Sequence, residues 1–340
     1  MSLLPFLHRV VEREDLSPAD AERAMTAILD GEASTTEIAA FLVALRMKGE
    51  TAEEVLGFTR AMRGKALAVC PGLDGEPLLD TCGTGGDGLA TFNISTTAAF
   101  VAAGAGVRVA KHGNRSASSR CGSADVLEAL GVTIAQSADQ MAHAIREVGI
   151  GFLFAPSLHP AMRFAQPARK EIKLRTVFNL LGPLTNPAGA TRQLVGAHSV
   201  RAAELLAGAL ASLGCRRGFV VHGADGLDEI STTGETLVLE IVTGCVVQRT
   251  LSPEDFGVPR ASIEELRGGD PGDNASITRA VLRGESGPRR DIVLINAAAA
   301  LVAAGRAPDF PSAMALAADS IDSGAALAKL EALAAFSRQA

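Results

Sequence analysis

The first 70 residues carry an apolar pattern with helical spacing. Apolar side chains recur there every three or four residues, as in the series Ile38, Phe41, Leu42 and Leu45. Capping-box patterns begin at Ser34 and Thr51, and Gly49 stands between the two helices that they predict. This part of the chain therefore predicts a small bundle of helices, and none of its motifs indicates chemistry.

Beyond Pro77, short apolar runs alternate with Ala- and Leu-rich stretches. The short runs are PLLDTC, VRVAKHG, GFLFAP, QLVGAH and GFVVHG, and the helical stretches include 123–130, 137–148 and 199–213. Such alternation predicts βα units around a largely parallel sheet. Residues 235–250 instead predict a β-hairpin that turns at Thr243-Gly244.

These two patterns predict an α/β protein with a small α-helical domain over 1–72 and a larger α/β domain over 73–340. Segment 158–190 interrupts the alternation, and we expect part of it to join the helical domain. The segment RGGDPGDN at 267–274 is rich in turn-forming residues and predicts a surface loop.

Composition narrows the possible functions. The 340 residues are 47% hydrophobic and carry a formal net charge of −6, and their only aromatic residues are Phe. We therefore expect neither the broad basic surface nor the stacking platforms of a nucleic-acid binder, although a local basic pocket for an anionic small molecule stays possible. Five scattered cysteines predict reduced thiols, and the charged N-terminal stretch is unlike a signal peptide. No apolar run approaches the ~20 residues of a membrane span. We expect a soluble cytoplasmic protein.

Glycines cluster in DTCGTGGDGLATFNIST, which runs from Asp80 to Thr96. The stretch follows an apolar run and leads into an Ala-rich helix. Glycine allows close approach of the backbone to a ligand, and a helix N-terminus favours anions. No Gly-Lys-Ser/Thr closes a Walker A loop, and the Rossmann fingerprint fits poorly. On its own, the stretch favours a phosphate cradle only modestly over a glycine-rich turn that caps a helix.

A second polar stretch, VAKHGNRSASSRCGSADVL, runs from Val109 to Leu127 and again joins a strand to a helix. Cations followed by small hydroxyl donors suit a multiply charged phosphate ester. The alternative is a solvated basic loop whose serines cap the helix, which suits Ser123 better than the whole set. Two such loops after parallel strands would face one crevice.

A third stretch, GADGLDEIS, holds the adjacent carboxylates Asp228 and Glu229. Mg²⁺ takes one or two carboxylates and shares substrate phosphates and waters. Such a pair more often forms an exposed acidic turn. Here it occurs together with two predicted phosphate loops, and this combination indicates a magnesium-bridged polyphosphate.

A fourth stretch, Gln166–Pro187, is basic at its start and offers Arg169 as a bidentate partner for a carboxylate. Most of its other charges, including Lys170, Lys173 and Arg175, are expected to face solvent. Of the histidines, only His112 and His159 lie in loops with candidate chemistry.

Five motifs, in the order DTCGTGGD, NIST, KHGNRSASS, RTVFNLLGPLTNP and GLDEIS, resemble the anthranilate phosphoribosyltransferase family, and the likeness covers nearly the whole chain. The resemblance implies a helical domain plus an α/β domain, usually in a homodimer joined through the helical part. It implies transfer of the phosphoribosyl group from phosphoribosyl pyrophosphate to anthranilate in tryptophan biosynthesis, with Mg²⁺. The run RKEIK at 169–173 departs from an RREL-like pattern, although Arg169 is in place.

The resemblance also implies roles for individual residues. Phosphoribosyl pyrophosphate would be held by Gly83, Gly86, Asp87, Thr91, Asn93, Ile94, Ser95, Thr96, Lys111, His112, Gly113, Asn114, Arg115, Ser116, Ala117, Ser118, Ser119 and Ser123. Anthranilate would contact Gly83, Asn114 and Arg169, and the metal would bind Ser95, Asp228 and Glu229. His112, His159 and the Gly182-Pro183 turn would line the acceptor's route. No residue is expected to act as acid or base.

Two other functions remain open at this stage. A pyrimidine nucleoside phosphorylase of the same fold would use inorganic phosphate and a nucleoside, but KHGNRS and the Asp-Glu pair count against it. A catalytically idle nucleic-acid-binding relative would need a basic surface, which an acidic chain does not predict.

Overall fold

The computed structural model describes residues 2–116 and 120–339, and its α/β architecture confirms the predicted fold class. Within these ranges the strands are β1 Leu78–Gly83, β2 Arg108–Gly113, β3 Ile150–Phe154, β4 Arg192–Gly196, β5 Arg217–Gly223, β6 Thr236–Val242 and β7 Cys245–Leu251. They form one sheet in the order β3-β2-β1-β4-β5-β6-β7. The pairs among β1 to β5 are parallel, whereas β6 and β7 are antiparallel.

The helices of the described chain begin with α1 Leu4–Val11, α2 Pro18–Leu29, α3 Thr35–Lys48 and α4 Ala52–Lys65. The central part contains α5 Ile94–Gly104, α6 Ser123–Ala129, α7 Ala138–Glu147, α8 Ala155–Leu158, α9 Gln166–Ile172, α10 Phe178–Leu181 and α11 Val200–Ser212. The last are α12 Pro271–Leu282, α13 Pro288–Ala304, α14 Phe310–Asp322 and α15 Ala325–Gln339. None of the described helices is long and apolar enough to cross a membrane.

The predicted local signals are confirmed where short-range chemistry controls them. Ser34 and Thr51 form capping boxes with Glu37 and Glu54, so α3 and α4 begin at the residues that follow them. The hairpin of β6 and β7 turns at Thr243-Gly244, where both residues have positive φ.

Two layers of side chains cover the sheet. On one face, Leu79 and Leu194 pack in a core with α5 and α13. On the other face, Val195 and Val220 share a core with α11 and the N-terminal helices. Every residue of α13 from Ile292 to Ala304 is buried, so this helix lies in the interior of its layer.

Part of the segment 158–190 packs on the N-terminal helices. Ala165, Ala168 and Val177 belong to the same buried cluster as Phe41 and Leu45 of α3. The domain boundary between residues 72 and 73 stays a prediction.

The predicted surface loop over 267–274 is wrong in its second half. Asp270 is the N-cap of α12, its side chain accepts the Asp273 N–H at 2.9 Å, and Pro271 occupies the first helical position. An acidic N-cap followed by proline is a helix start signal, and here it outweighs the turn-forming composition.

Candidate active site

The candidate site lies at the carboxyl ends of β1, β4 and β5. The strand order reverses between β1 and β4, where Gly83 pairs with Gly196 at the end of both strands. Ligands of open α/β sheets bind in the crevice at such a switch point. The first three polar stretches of the sequence all reach this crevice or its rim.

The glycine loop turns immediately after Gly83. Gly85, Gly86 and Gly88 have φ of 65°, 74° and 82°, a region in which a side chain is strained. The Gly85 N–H donates to Asp228 Oδ2 at 2.8 Å. The loop therefore bends back onto the carboxylate pair of the third stretch, as the sequence interpretation requires.

Helix α5 begins beside this loop, with Asn93 as its N-cap. The N–H of Ser95 donates to Glu229 Oε1 at 3.0 Å, and the Ser95 side chain also moderates the pKa of that carboxyl. Ile94 and Thr96 are buried in the first turn. The N-terminal field of an eleven-residue helix thus acts on the acidic pair and on any anion beside it.

The acidic pair is held in an environment that disfavours negative charge. Burial, and then the nearby Asp87 carboxylate, raise the pKa of Asp228 well above its ordinary value. Burial and then Asp228 likewise raise the pKa of Glu229. A cation at this place would stabilise both ionised forms.

The donor set fits magnesium. Asp228, Glu229 and the Ser95 hydroxyl supply hard oxygen ligands within one hydrogen-bonded group. The described chain has no cluster of three or more His, Cys, Asp or Glu side chains that would form a complete protein cage. Mg²⁺ prefers such partial sites, because it keeps waters and substrate phosphates as its other ligands.

The second polar stretch is divided between the sheet and its rim. Lys111 is buried in β2, where its ammonium donates to the Thr81 carbonyl at 2.5 Å and burial lowers its pKa. The Asn114 N–H donates to Ser123 Oγ at 3.2 Å. Arg115 is exposed and pairs with Asp125 and Glu128 at 2.9 and 2.6 Å.

The remaining predicted residues of the donor site lie around the same loops. Asp87 Oδ1 accepts the Leu89 N–H, Thr91 forms a β-bridge with Arg267, and Gly113 ends β2. The Ser116 N–H donates to Asp125 Oδ2 at 3.1 Å. Ala117, Ser118 and Ser119 lie outside the described residues.

Two buried histidines face the fourth stretch. The rings of His112 and His159 lie 5.3 Å apart, and His112 Nδ1 donates to the Gly182 carbonyl at 3.1 Å. Neither Nε2 atom has a hydrogen-bond partner in the described chain. Arg169 stacks over the Phe178 ring at 5.1 Å and has no carboxylate partner among the described residues. The two Nε2 atoms and the Arg169 guanidinium therefore keep hydrogen-bonding capacity that the described chain does not use for a hydrogen bond or a carboxylate.

His159 makes stability depend on pH. Burial lowers its pKa to about 4, below the ~6.5 of an unfolded histidine. Between pH 6.5 and 4, His159 is protonated in the unfolded chain but stays neutral in the native structure. It therefore lowers the free energy of unfolding as the pH falls.

We expect His159→Gln to remove that dependence. From pH 6.5 to pH 5.0, the difference in unfolding free energy between the wild type and the variant should shift by about 1.6 kcal/mol in favour of the variant. Urea unfolding at both pH values measures it, with the exposed His143→Gln as control. A difference that is equal at the two pH values would contradict the assignment.

Sequence reasoning missed several polar residues of the site. Arg175 is exposed, as expected, but its guanidinium also donates to the Gly86 carbonyl of the glycine loop. Thr84 Oγ1 contacts both the N–H and Nδ1 of His198. Buried Asp80 accepts hydrogen bonds from the His112 N–H and the Asn186 amide. The only sequence signal for these residues was their presence in or beside the motifs.

Asn93 is held from two sides. Its Oδ1 accepts from the amide of Asn274 in α12 at 2.9 Å, and Cys121 Sγ lies 3.4 Å from the same atom. The Asn93 side chain thus braces the loops, and its contact with a donor substrate stays a prediction.

Comparisons with known proteins agree with this geometry. The sequence model described as "glycosyl transferase family, helical bundle domain" matches residues 4–66, and the one described as "glycosyl transferase family, a/b domain" matches 75–327. An anthranilate phosphoribosyltransferase of Solibacter usitatus is 65% identical over 99% of both chains, and one of Moorella thermoacetica is 56% identical over 97% of both.

Solved structures of anthranilate phosphoribosyltransferases are similar to this chain over nearly its whole length. The crystal structure of an anthranilate phosphoribosyltransferase from Thermus thermophilus superposes with a TM-score of 0.92 at 46% identity, covering 98% of this chain and 99% of the other. The Saccharomyces cerevisiae enzyme in complex with PRPP and Mg gives 0.90 at 29% identity, covering 99% and 98%.

Proposed function

The chain belongs to the anthranilate phosphoribosyltransferase family, and we infer that it transfers the 5-phosphoribosyl group of phosphoribosyl pyrophosphate to the amine of anthranilate. Pyrophosphate leaves, and N-(5-phosphoribosyl)anthranilate is formed for tryptophan biosynthesis. The observation that best supports this function is that the glycine loop and the N-terminus of α5 contact Asp228 and Glu229 at the switch point of the sheet.

The donor's diphosphate would lie against the glycine loop and the start of α5. Backbone N–H groups and the helix field suit an anion there. The proposed donor contacts are the residues from Gly83 to Thr96 named above, together with Lys111 to Ser119 and Ser123. Arg115 would reach the phosphates only by sharing or leaving its bonds with Asp125 and Glu128. Lys111 would act from beneath the loop, through the field of its buried charge.

Ser95, Asp228 and Glu229 would hold magnesium. When bound, Mg²⁺ neutralises phosphate charge and so favours departure of the pyrophosphate. The chain's own part is to fix the two carboxylates, which it does by donating the N–H groups of Gly85 and Ser95 to them.

The acceptor would bind between the fourth stretch and the second loop. Arg169 would pair with the carboxylate of anthranilate, while Asn114 and Gly83 would touch the ring and the junction with the donor. His112, His159 and the Gly182-Pro183 turn would line the approach. The aromatic amine is neutral at pH 7, so displacement at the ribose carbon needs orientation and leaving-group stabilisation more than a strong base.

We also propose a cytoplasmic homodimer joined through the helical part. Leu4 and Val11 of α1 and Met47 of α3 are exposed apolar residues on that part, and burying them between two chains would be favourable.

Loss of anthranilate fluorescence, in the presence of phosphoribosyl pyrophosphate and Mg²⁺, tests the reaction and the acceptor site together. We expect Arg169→Ala to raise the KM for anthranilate about 10- to 100-fold, since hydrogen bonds to a charged partner contribute about 1.5–3 kcal/mol. The KM for the donor should change little.

The exposed Lys170→Ala, one residue along the same helix, is the matched control. An equal rise in KM for anthranilate and for the donor would indicate that Arg169 has a purely structural role. Consumption of a pyrimidine nucleoside with phosphate, and none of anthranilate, would instead support the phosphorylase alternative.

A further inference from the structure

Asn296 is a buried amide in an apolar helix. It lies within the buried run Ile292–Ala304, and its side chain is fully removed from solvent. A polar group in such a place destabilises the fold unless its hydrogen bonds are made. Its partners therefore explain why the helix carries an amide there.

Two of the three hydrogen bonds of the Asn296 amide go to one residue of another segment. Its Oδ1 accepts the Ile230 N–H at 2.9 Å, and its Nδ2 donates to the Ile230 carbonyl at 2.9 Å. The second Nδ2 hydrogen goes to the Ile292 carbonyl at 2.9 Å. One side chain thus fixes both backbone groups of Ile230, as a neighbouring strand would.

Ile230 directly follows the acidic pair. Its own side chain is buried against the core that contains α13. The two carboxylates on its N-terminal side contact Gly85 and Ser95 from different parts of the glycine stretch. A small shift at Ile230 would move Glu229 relative to Ser95, because only one peptide unit separates Glu229 from the clamped residue.

We propose that Asn296 is a positioning residue for the metal-binding carboxylates. It touches neither substrate nor metal, and it acts by holding the backbone of Ile230. This inference rests on the proposed function for its catalytic consequence, whereas the clamp itself can be measured without any substrate.

Hydrogen exchange of the substrate-free protein tests the clamp. In the wild type, the Ile230 amide should be strongly protected, and in Asn296→Ala, exchange should accelerate over residues 228–231 but not in β5. The control Val302→Ala removes two methyl groups from a buried residue of the same helix, six positions away, and should leave exchange at 228–231 unchanged. An Ile230 amide that exchanges at the free-peptide rate in the wild type would overturn the proposal, even if Asn296→Ala does not fold.

Magnesium dependence tests the consequence. We expect the Mg²⁺ concentration for half-maximal activity to rise about 10- to 100-fold in Asn296→Ala, as is typical when a residue that orients metal ligands is lost. The upward shift in melting temperature caused by phosphoribosyl pyrophosphate with Mg²⁺ should shrink as well. Val302→Ala should keep both wild-type values.

Asn296→Ala with the same magnesium requirement as Val302→Ala would overturn the positioning role. A wild-type protein that consumes no anthranilate would instead overturn the proposed function, and the exchange experiment would still decide whether the clamp exists.

Discussion

Replacing Asp228 by Asn and Glu229 by Gln together is expected to lower kcat/KM about 10²- to 10³-fold and to raise the magnesium requirement sharply. The amide side chains keep an oxygen that can accept from the Gly85 and Ser95 N–H groups, so the loops should stay in place. Each side chain loses its negative charge and one of its two acceptor oxygens. Steady-state kinetics across a magnesium titration measures the effect.

The same variant should fold at least as well as the wild type. Burial raises the pKa of both carboxyls, so ionising them in the native state costs stability as the pH rises above their ordinary values. Neutral amides avoid this cost, and loss of activity with an unchanged or higher melting temperature would separate function from folding.

Glu235→Gln is the matched control for charge. Glu235 is exposed and directly precedes β6, so its substitution removes one negative charge without touching the site. Ordinary magnesium-dependent kinetics in the double variant would remove the metal assignment.

Local patterns in the sequence predicted most of the fold. The capping residues Ser34 and Thr51 and the turn at Thr243-Gly244 act over a few positions, so they can be identified without tertiary information. The parallel strands were recognisable because each apolar run precedes a polar loop. At 267–274 two local signals conflicted, and the N-cap Asp270 decided the outcome.

The candidate site was predictable in its surface loops but not in its supports. Asp228 and Glu229 stand out in a motif, whereas Asn296 is one amide in an alanine-rich run and its partner lies 66 positions away. Arg175 resembles any other cation of a basic stretch until the fold places it at Gly86. Such contacts depend on which elements become neighbours, and one chain's residue pattern does not contain that information.

Gly196→Ala is expected to lower kcat/KM by at least about 100-fold. Gly196 ends β4, and its φ is not positive, so its backbone conformation is compatible with alanine. The obstacle to a side chain is the lack of space beside it. A Cβ there would lie 1.5 Å from the Asp228 carbonyl oxygen, whereas real Cβ contacts are essentially never under 3.0 Å. The obstacle is backbone, which cannot rotate away as a side chain would.

The loop that carries the acidic pair must therefore shift by about 1 Å or more, and a misplacement of that size can cost about 10²-fold in rate. Gly83, which pairs with Gly196 on the neighbouring strand, is packed against the same residue, since a Cβ there would come within 2.6 Å of Asp228 Oδ2. Gly234→Ala is the control, because nothing lies within 4 Å of the added methyl group. Kinetics and far-ultraviolet circular dichroism of both variants decide the matter. Wild-type kcat/KM in a folded Gly196→Ala protein would show that the position of Asp228 does not limit the reaction.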